Sequence, residues 1–315
     1  MEILNDIKNV KLHSTAITIG NFDGVHVGHQ KLISALENVA SSQGLYKVIF
    51  TFKGHTSSIL YPRKSLCLLT DFDDKIRFLK KCNPDFIITL DFDCSLSQMS
   101  YMDFFKEVLV NRLGCKALVI GENFRMGYRG MGNAQKIADL CDAHGVYLKV
   151  VSPAKVYGNV VSSTYIRNLI SEGQVDVAKD YLGRYYEIKG VVVKGKQLGR
   201  TIGFPTVNLN CCKNRCLPKK GVYVTHTFAC GNRYLSITNV GVKPTVKDDS
   251  EMTVESHLIG YSGDLYGEAV KIVFLKRIRD EIKFERIGDL KRQLQEDVRY
   301  ALNYDNLFYN RHVLC

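Results

Sequence analysis

Proline is scarce, with 6 residues in 315, and the 25 glycines are unremarkable, which excludes a collagen-like repeat and a Pro-rich disordered chain. No apolar run approaches the roughly 20 residues of a membrane helix. Residues 1–12 are too polar for a secretory signal, so a cytoplasmic protein with no membrane partner is expected. The ten cysteines include no C-x-x-C pair; Cys212 and Cys216 come nearest to a metal knuckle, and no second pair completes it. Reduced thiols are expected in that compartment. G-x-G-x-x-G and G-x-x-x-x-G-K-[ST] are both absent, so neither a dinucleotide fingerprint nor a Walker A loop is present. Acidic residues are the minority, 32 against 43 Lys and Arg, for a net charge of +11. The excess is spread along the chain without a dense tail. It admits a nucleoside triphosphate as readily as a nucleic acid. Against nucleic acid stands the lack of a basic stripe and of an aromatic RNA-binding motif.

What is present is ordinary globular composition, 45% hydrophobic and 24% charged, at a length that suits two domains and a sizeable core. In the first half, short β-branched and aromatic runs at 16–22, 46–52, 85–92, 115–124 and 147–152 predict strands. Helical periodicity lies between several of them, at 29–40, 99–113 and 135–144. Strands alternating with helices predict an α/β/α, Rossmann-like unit with a parallel sheet covered on both faces. Two short helices follow, at 164–172 and 175–182. After Gly183 the alternation stops. Runs at 186–194, 221–228, 233–239, 253–258 and 269–277 predict a small antiparallel β-barrel, followed by a terminal helix with Leu290, Leu294, Val298 and Leu302 on one face. The expected boundary divides residues 1–184 from 185–315.

The first chemical constellation is Gly20-Asn21-Phe22-Asp23-Gly24-Val25-His26-Val27-Gly28-His29, a Gly-rich turn between the first strand of the alternating half and a helix. Open parallel sheets bind ligands at the carboxyl ends of their strands. A helix start offers N–H groups and a positive dipole end. Gly28 permits close backbone approach, and His26 and His29 are placed to donate hydrogen bonds to phosphoryl oxygens. A plain turn, or a helix cap, is the bland alternative. Ser162-Ser163-Thr164-Tyr165-Ile166-Arg167 opens a later helix with three hydroxyls and an arginine, either a simple N-cap or a triphosphate clamp. Together H-x-G-H and S-S-T-x-I-R resemble the nucleotidylyltransferase superfamily. With Gly121-Glu122-Asn123-Phe124-Arg125-Met126-Gly127 the resemblance narrows to the adenylyltransferase module of bacterial bifunctional riboflavin kinase/FAD synthetases. It implies that these loops hold ATP and FMN, through Gly20, Phe22, Asp23, Gly24, Gly28, Asn123, Ser163, Thr164 and Arg167.

The second constellation runs from Gly190 to Asn208. Gly195, Gly199 and Gly203 recur at four-residue spacing after a strand, with Lys196 and Arg200 supplying charge, which reads as a phosphate cradle or as a flexible barrel loop. Thr206 and Asn208 offer neutral oxygens on one side of an extended segment and are candidate Mg²⁺ ligands. This stretch, with its P-T-x-N motif, resembles the riboflavin kinase domain. The resemblance continues through residues 239–245, Val254-Glu255-Ser256-His257-Leu258 and Asp264-Leu265-Tyr266-Gly267, and implies Glu255 as the catalytic base. The expected function is therefore ATP-dependent phosphorylation of riboflavin to FMN by the barrel, then adenylyl transfer from ATP to FMN, giving FAD and pyrophosphate, by the first unit. Mg²⁺ is the expected cofactor, the partners are these small molecules, and an oligomer is allowed. Two rival readings are a kinase with a degenerate nucleotide-binding first module and a flavin-responsive RNA-binding regulator. The chain departs from the family pattern at Phe52-Lys53-Gly54-His55-Thr56, where F-x-P-H-P is usual and both prolines are missing. Met126 stands for a usual Phe and Val207 for a usual Ala. Arg279, Lys283 and Phe284 are candidates for a flavin lid.

Overall fold

A computed structural model describes residues 1–7, 10–56, 66–195, 199, 202–211, 214–242 and 252–312, with side chains described through residue 306. The chain forms two compact units, Met1–Ser163 and Thr164–Cys315. The first is built on a six-stranded sheet in the order β1 (Glu2–Leu4), β4 (Phe86–Leu90), β3 (Tyr46–Phe52), β2 (Thr15–Ile19), β5 (Cys115–Gly121), β6 (Tyr147–Val151), with every neighbouring pair parallel. From β2 the chain builds outward through β3 and β4, then crosses back to lay β5 on the other side of β2. That reversal opens a crevice at the carboxyl ends of β2 and β5, where open α/β sheets take their ligands.

All five residues of β2 are buried, which requires cover on both faces. On one face lies α1 (Val27–Gln43), contributing Ile33, Leu36, Val39 and Ala40, together with α2 (Phe72–Lys80), contributing Ile76 and Leu79. Gly44, left-handed at φ 63°, ends α1. Five of the nine residues of α2 are charged, which hides its apolar stripe from sequence periodicity. The other face is covered by Phe104, Phe105, Val108 and Leu109 with Ile137 and Cys141 of α5 (Ala134–Ala143). The helix predicted over 99–113 divides. α3 (Cys94–Gln98) precedes it, α4 (Tyr101–Asp103) starts on a Ser100 cap, and Phe104–Arg112 continues with the wider i→i+5 turns of a π-helix. Positions 104, 105, 108, 109 and 113 recur at four- to five-residue spacing, and the wider turn keeps all of them on the core face. A two-stranded hairpin, β7 (Lys155–Val156) and β8 (Asn159–Val160), leads to Ser163.

The second unit begins with α6 (Ser163–Ser171) and α7 (Val175–Leu182). A closed antiparallel barrel follows in the order β10 (Val207–Cys211), β13 (Met252–Leu258), β12 (Asn232–Val242), β11 (Gly221–Ala229), β14 (Ala269–Arg279), β9 (Tyr186–Val193). Part of its interior is polar. Thr225, Thr227, Ser236, Thr238 and Ser256 are all fully buried and joined hydroxyl to hydroxyl, for example Thr225 Oγ1 to Thr238 Oγ1 at 2.7 Å and Thr238 Oγ1 donating to Ser256 Oγ at 2.9 Å. Such a network specifies register, because a one-residue slip of β12 or β13 turns its hydroxyl outward and leaves the others without partners. Outside the barrel, Val222, Val224, Ile237 and Leu275 pack against Ala301 of α8 (Ile287–His312).

The face of α8 toward the barrel includes Val298 of the predicted series but not Leu302. Leu302 is 45% exposed, whereas Asp297 and Ala301 are buried. Asp297 receives Arg279 Nε at 2.9 Å and Nη2 at 2.6 Å, and His226 Nε2 meets Asp305 at 2.9 Å. Arg279 is thus committed to anchoring α8, not to a flavin lid. Cys82, Cys94, Cys115, Cys141, Cys211 and Cys230 are free thiols, whereas Cys67 and Cys216 are disulfide-bonded, against the expectation of reduced thiols throughout.

Candidate active sites

The first site is the turn leaving β2. Gly20 N–H donates to Phe50 O at 3.1 Å, so the strand pairs with β3 up to its last residue. The chain then reverses through Phe22 at φ 49° and Gly24 at φ 84°. Phe22 and Asp23, expected among the binding residues, turn inward. The Phe22 ring is fully buried, and the Asp23 carboxylate accepts from Leu69 N–H at 3.0 Å and from Thr70 N–H at 3.1 Å. Thr70 Oγ1 in turn accepts from Gly24 N–H at 3.0 Å. Ser163, opening α6, donates its hydroxyl to Asp23 O at 3.0 Å. These contacts hold the loop in shape.

His26 caps α1, its Nδ1 accepting from His29 N–H at 3.3 Å. That bond fixes the proton of a neutral His26 ring on Nε2. The two imidazoles stack at 3.6 Å with 13° between planes, and Phe22 sets its edge to His29 at 5.1 Å. Gly28 packs closely on the histidine pair, where a Cβ would sit 3.1 Å from the His26 ring. The first turn of α1 carries no carboxylate, which leaves its positive end available to an anion.

Beside this turn, Gly20 and Asn21 line a pocket of about 840 Å³ whose walls include Ile19, Phe52, Phe92, Leu96, Met99, Phe104, Phe124 and Met126. That volume suits a drug-sized ligand. Asn123 lies on its wall, as expected. Thr56, which replaces the second usual proline, is held by a reciprocal pair with Asn21: Thr56 N–H donates to Asn21 Oδ1 at 3.2 Å and Asn21 Nδ2 donates to Thr56 Oγ1 at 3.0 Å. Hydrogen bonds thus replace ring rigidity at that position.

Sequence reading missed Lys75, because a lysine in a charged helix reads as surface. It is only 6% exposed, and its Nζ donates to Phe52 O and, at 3.4 Å, to Asn21 O, joining the carboxyl ends of β3 and β2. Burial lowers its pKa to about 8, and the charge of Asp23 opposes that shift. A folded pKa below the unfolded value of 10.5 means that the unfolded chain holds the extra proton between about pH 8 and 10.5. Stability attributable to Lys75 therefore rises with pH across that window, by up to roughly 3 kcal/mol. Denaturant melts at pH 7.5–10.5 of wild type and Lys75→Met, taken as a difference, check it; a flat difference would rule out a buried charged lysine.

In the second unit, register brings the other candidates together. Asn208 of β10 pairs with Glu255 of β13, and Glu255 pairs with Asn239 of β12, so three polar residues form a row across three strands on the outer face of the barrel. Asn208 is 8% exposed, and its Oδ1 is buried without a hydrogen-bond partner among the described residues. Asn239 Oδ1 is likewise buried with no partner among the described residues, while its Nδ2 donates to Glu281 at 3.0 Å. Gly195 packs directly on the Asn208 amide, where a Cβ would come within 2.3 Å of Nδ2. Gly199 O accepts from Phe204 N–H at 2.8 Å, Gly203 turns at φ 86°, and His257 holds Pro205 O at 2.8 Å. Thr206 lines a small cleft of about 60 Å³ with Pro205, Tyr261 and Tyr266, too small for a flavin ring. Among the described residues no group of three or more His, Cys, Asp and Glu could hold a metal. A cation here would take neutral oxygens instead, and the unpartnered Asn208 Oδ1 fits one. Lys196 and Arg200 lie outside the described residues, and Thr164 and Arg167 stand on α6 in the second unit.

A phosphate-ready turn at the switch point of a parallel sheet, followed in the chain by a barrel with a carboxylate between two unpartnered amide oxygens, defines a nucleotide-dependent transferase with two sites. Comparison with known proteins gives the particulars. Residues 8–165 match the family model for FAD synthetase and residues 182–304 that for riboflavin kinase. The bifunctional riboflavin kinase/FMN adenylyltransferase of Buchnera aphidicola (from Acyrthosiphon pisum) is 34% identical over 98% of this chain and all of that protein. Those of Bacillus subtilis and Escherichia coli K12 are 32% and 31% identical, over 92% and 98% of this chain and 92% and 99% of theirs. A crystal structure described as a macrolide-efflux protein from Streptococcus pneumoniae superposes with a TM-score of 0.88 at 28% identity, covering 96% of this chain and 98% of that one. The chain belongs to the bifunctional riboflavin kinase/FMN adenylyltransferase family, with the adenylyltransferase module first and the kinase module second.

Proposed function

We propose that residues 1–184 join ATP to FMN at the His26–His29 turn and that residues 185–315 phosphorylate riboflavin at the row Asn208–Glu255–Asn239. In the first reaction an FMN phosphate oxygen attacks the α-phosphorus of ATP. A new P–O–P bond forms, and the bond to the leaving pyrophosphate breaks. The His26 Nε2–H, the His29 ring and the positive end of α1 stabilise the charge that gathers on the phosphoryl oxygens. Ser163, which donates its hydroxyl to Asp23 O, assists. Asn123 contacts the flavin nucleotide, while Asp23, Phe22 and Lys75 hold the loop in shape.

In the second reaction Glu255 takes the proton of the ribityl 5′-hydroxyl as that oxygen attacks the γ-phosphorus of ATP, and ADP leaves. Lys196 and Arg200, with the backbone at Gly195, Gly199 and Gly203, cradle the phosphates. Thr206 and Asn208 would hold Mg²⁺, which when bound neutralises triphosphate charge. The observation that carries the reading is the stacked histidine pair at the uncompensated N-terminus of α1, on a turn that also lines a flavin-sized pocket.

Chromatography of products from purified protein with riboflavin, ATP and Mg²⁺ tests it. FMN is expected to rise first and then give way to FAD. FMN alone would reduce the first unit to a nucleotide-binding module, and neither product from folded protein would overturn the flavin assignment.

A further inference from the structure

We infer that Arg125 and Arg129 recognise the phosphate of the acceptor nucleotide and so select FMN over riboflavin in the first unit. The inference rests on the adenylyl-transfer reading above and goes further by naming the specificity-determining residues. Among the described residues they are the only charged side chains on the wall of the 840 Å³ pocket, and no described carboxylate joins them there. The Arg129 guanidinium lies over the Tyr128 ring at 5.1 Å, which leaves its hydrogen-bonding edge to other partners. Arg125 lays its stem along Gly130, where a Cβ would be 3.3 Å from the Arg125 Cβ.

The loop presenting them is rigid. Met126 and Gly132 exchange backbone hydrogen bonds at 2.9 Å in both directions, and Tyr128 N–H donates to Met99 O at 2.8 Å. Gly127, at φ 75°, packs so tightly on Tyr101 that a Cβ would come within 2.3 Å of the Tyr101 nitrogen. Arg129 itself is left-handed, φ 51° and ψ 22°. A non-glycine residue in that conformation is held there by its surroundings, a pattern that recurs at ligand sites.

An apolar cavity with two uncompensated guanidinium groups fits a flat aromatic body that carries a phosphate. Riboflavin offers the same ring without the anion and would form no charge-assisted hydrogen bond with either solvent-exposed guanidinium. ATP also carries phosphate, but the apolar wall favours the flavin nucleotide as the occupant, with the triphosphate left to the start of α1.

The test compares wild type with Arg125→Gln, Arg129→Gln, the double variant and Arg129→Lys in steady-state FAD synthesis from supplied FMN, with equilibrium dialysis of FMN and of riboflavin alongside. Each glutamine variant is expected to raise KM for FMN by roughly 10- to 100-fold while KM for ATP holds. Lysine at 129 should restore part of the loss, because it keeps the charge without the forked geometry. In dialysis the double variant should lose one FMN site and keep its riboflavin stoichiometry. An unchanged KM for ATP in FAD synthesis shows that the first unit of each variant is folded. The inference is overturned if KM for FMN does not move, if KM for ATP rises in its place, or if FMN stoichiometry is unchanged in the double variant. A wild type that makes no FAD would sink the adenylyl-transfer reading, and dialysis would still decide the role of the arginines.

Discussion

Alanine at His29 is expected to lower FAD formation from FMN and ATP by about 10²–10³-fold, the usual cost of losing one preorganised donor to a developing oxyanion. FMN formation from riboflavin should be untouched. The His29 ring is held by a parallel stack on His26 at 3.6 Å and by the edge of Phe22 at 5.1 Å. Its position is therefore fixed before substrate arrives, and little rearrangement is needed when charge develops. The cap bond from His29 N–H to His26 Nδ1 uses the backbone of residue 29 and survives the substitution, so α1 keeps its start. Loss of the imidazole should appear mainly in kcat, because the charge it stabilises grows in the transition state and not on bound ATP. Parallel assays of FAD and FMN formation on one preparation check this. Equal loss of both activities in folded protein would show that the two units do not divide the chemistry.

Much of this was legible in the chain. The strands β2 to β6 and helix α1 came from apolar runs and periodicity, because a sheet covered on both faces needs continuous apolar strands and helices with one apolar face. The H-x-G-H turn and the P-T-x-N stretch with Asn208 stood out as motifs, whereas Glu255 came only from the resemblance to the riboflavin kinase domain. Periodicity could not give α2, where charges outnumber the apolar stripe and one of them, Lys75, is buried to bind two backbone carbonyls. Nor could it separate α3 and α4 from the π-helical turns after them. On α8 the four-residue series was right at Val298, which packs on the barrel, and missed at Leu302, which is exposed, while the buried Asp297 bound by Arg279 gave no apolar signal. The arginine pair escaped for another reason. Arg125 and Arg129 acquire meaning only when the fold brings Phe52, Phe92 and Leu96, distant in sequence, onto the same pocket wall.

Glutamine at Glu255 is expected to cut riboflavin phosphorylation by about 10²–10⁴-fold, the range attributed to a positioned general base. Synthesis of FAD from supplied FMN should be retained. Glutamine preserves the shape of the side chain and its hydrogen-bonding reach but cannot take a proton at neutral pH. The placement of Glu255 rests on register. Residue 255 faces Asn208 on one neighbouring strand and Asn239 on the other, and the adjacent Ser256 points into the barrel, where Thr238 Oγ1 donates to it at 2.9 Å. A one-residue slip would bury the carboxylate and expose the serine, so the interior hydroxyl network holds the base on the outer face. The same dependence supplies a control. Ser256→Ala removes an interior partner, leaves the Glu255 carboxylate chemically intact and should lower thermal stability. Its phosphorylation rate should fall far less than that of Glu255→Gln at temperatures where the protein stays folded. If Glu255→Gln kept its kinase rate while remaining folded, proton removal would have to be assigned to another group, and Glu281, joined to the row through Asn239 Nδ2 at 3.0 Å, would be the next carboxylate to replace.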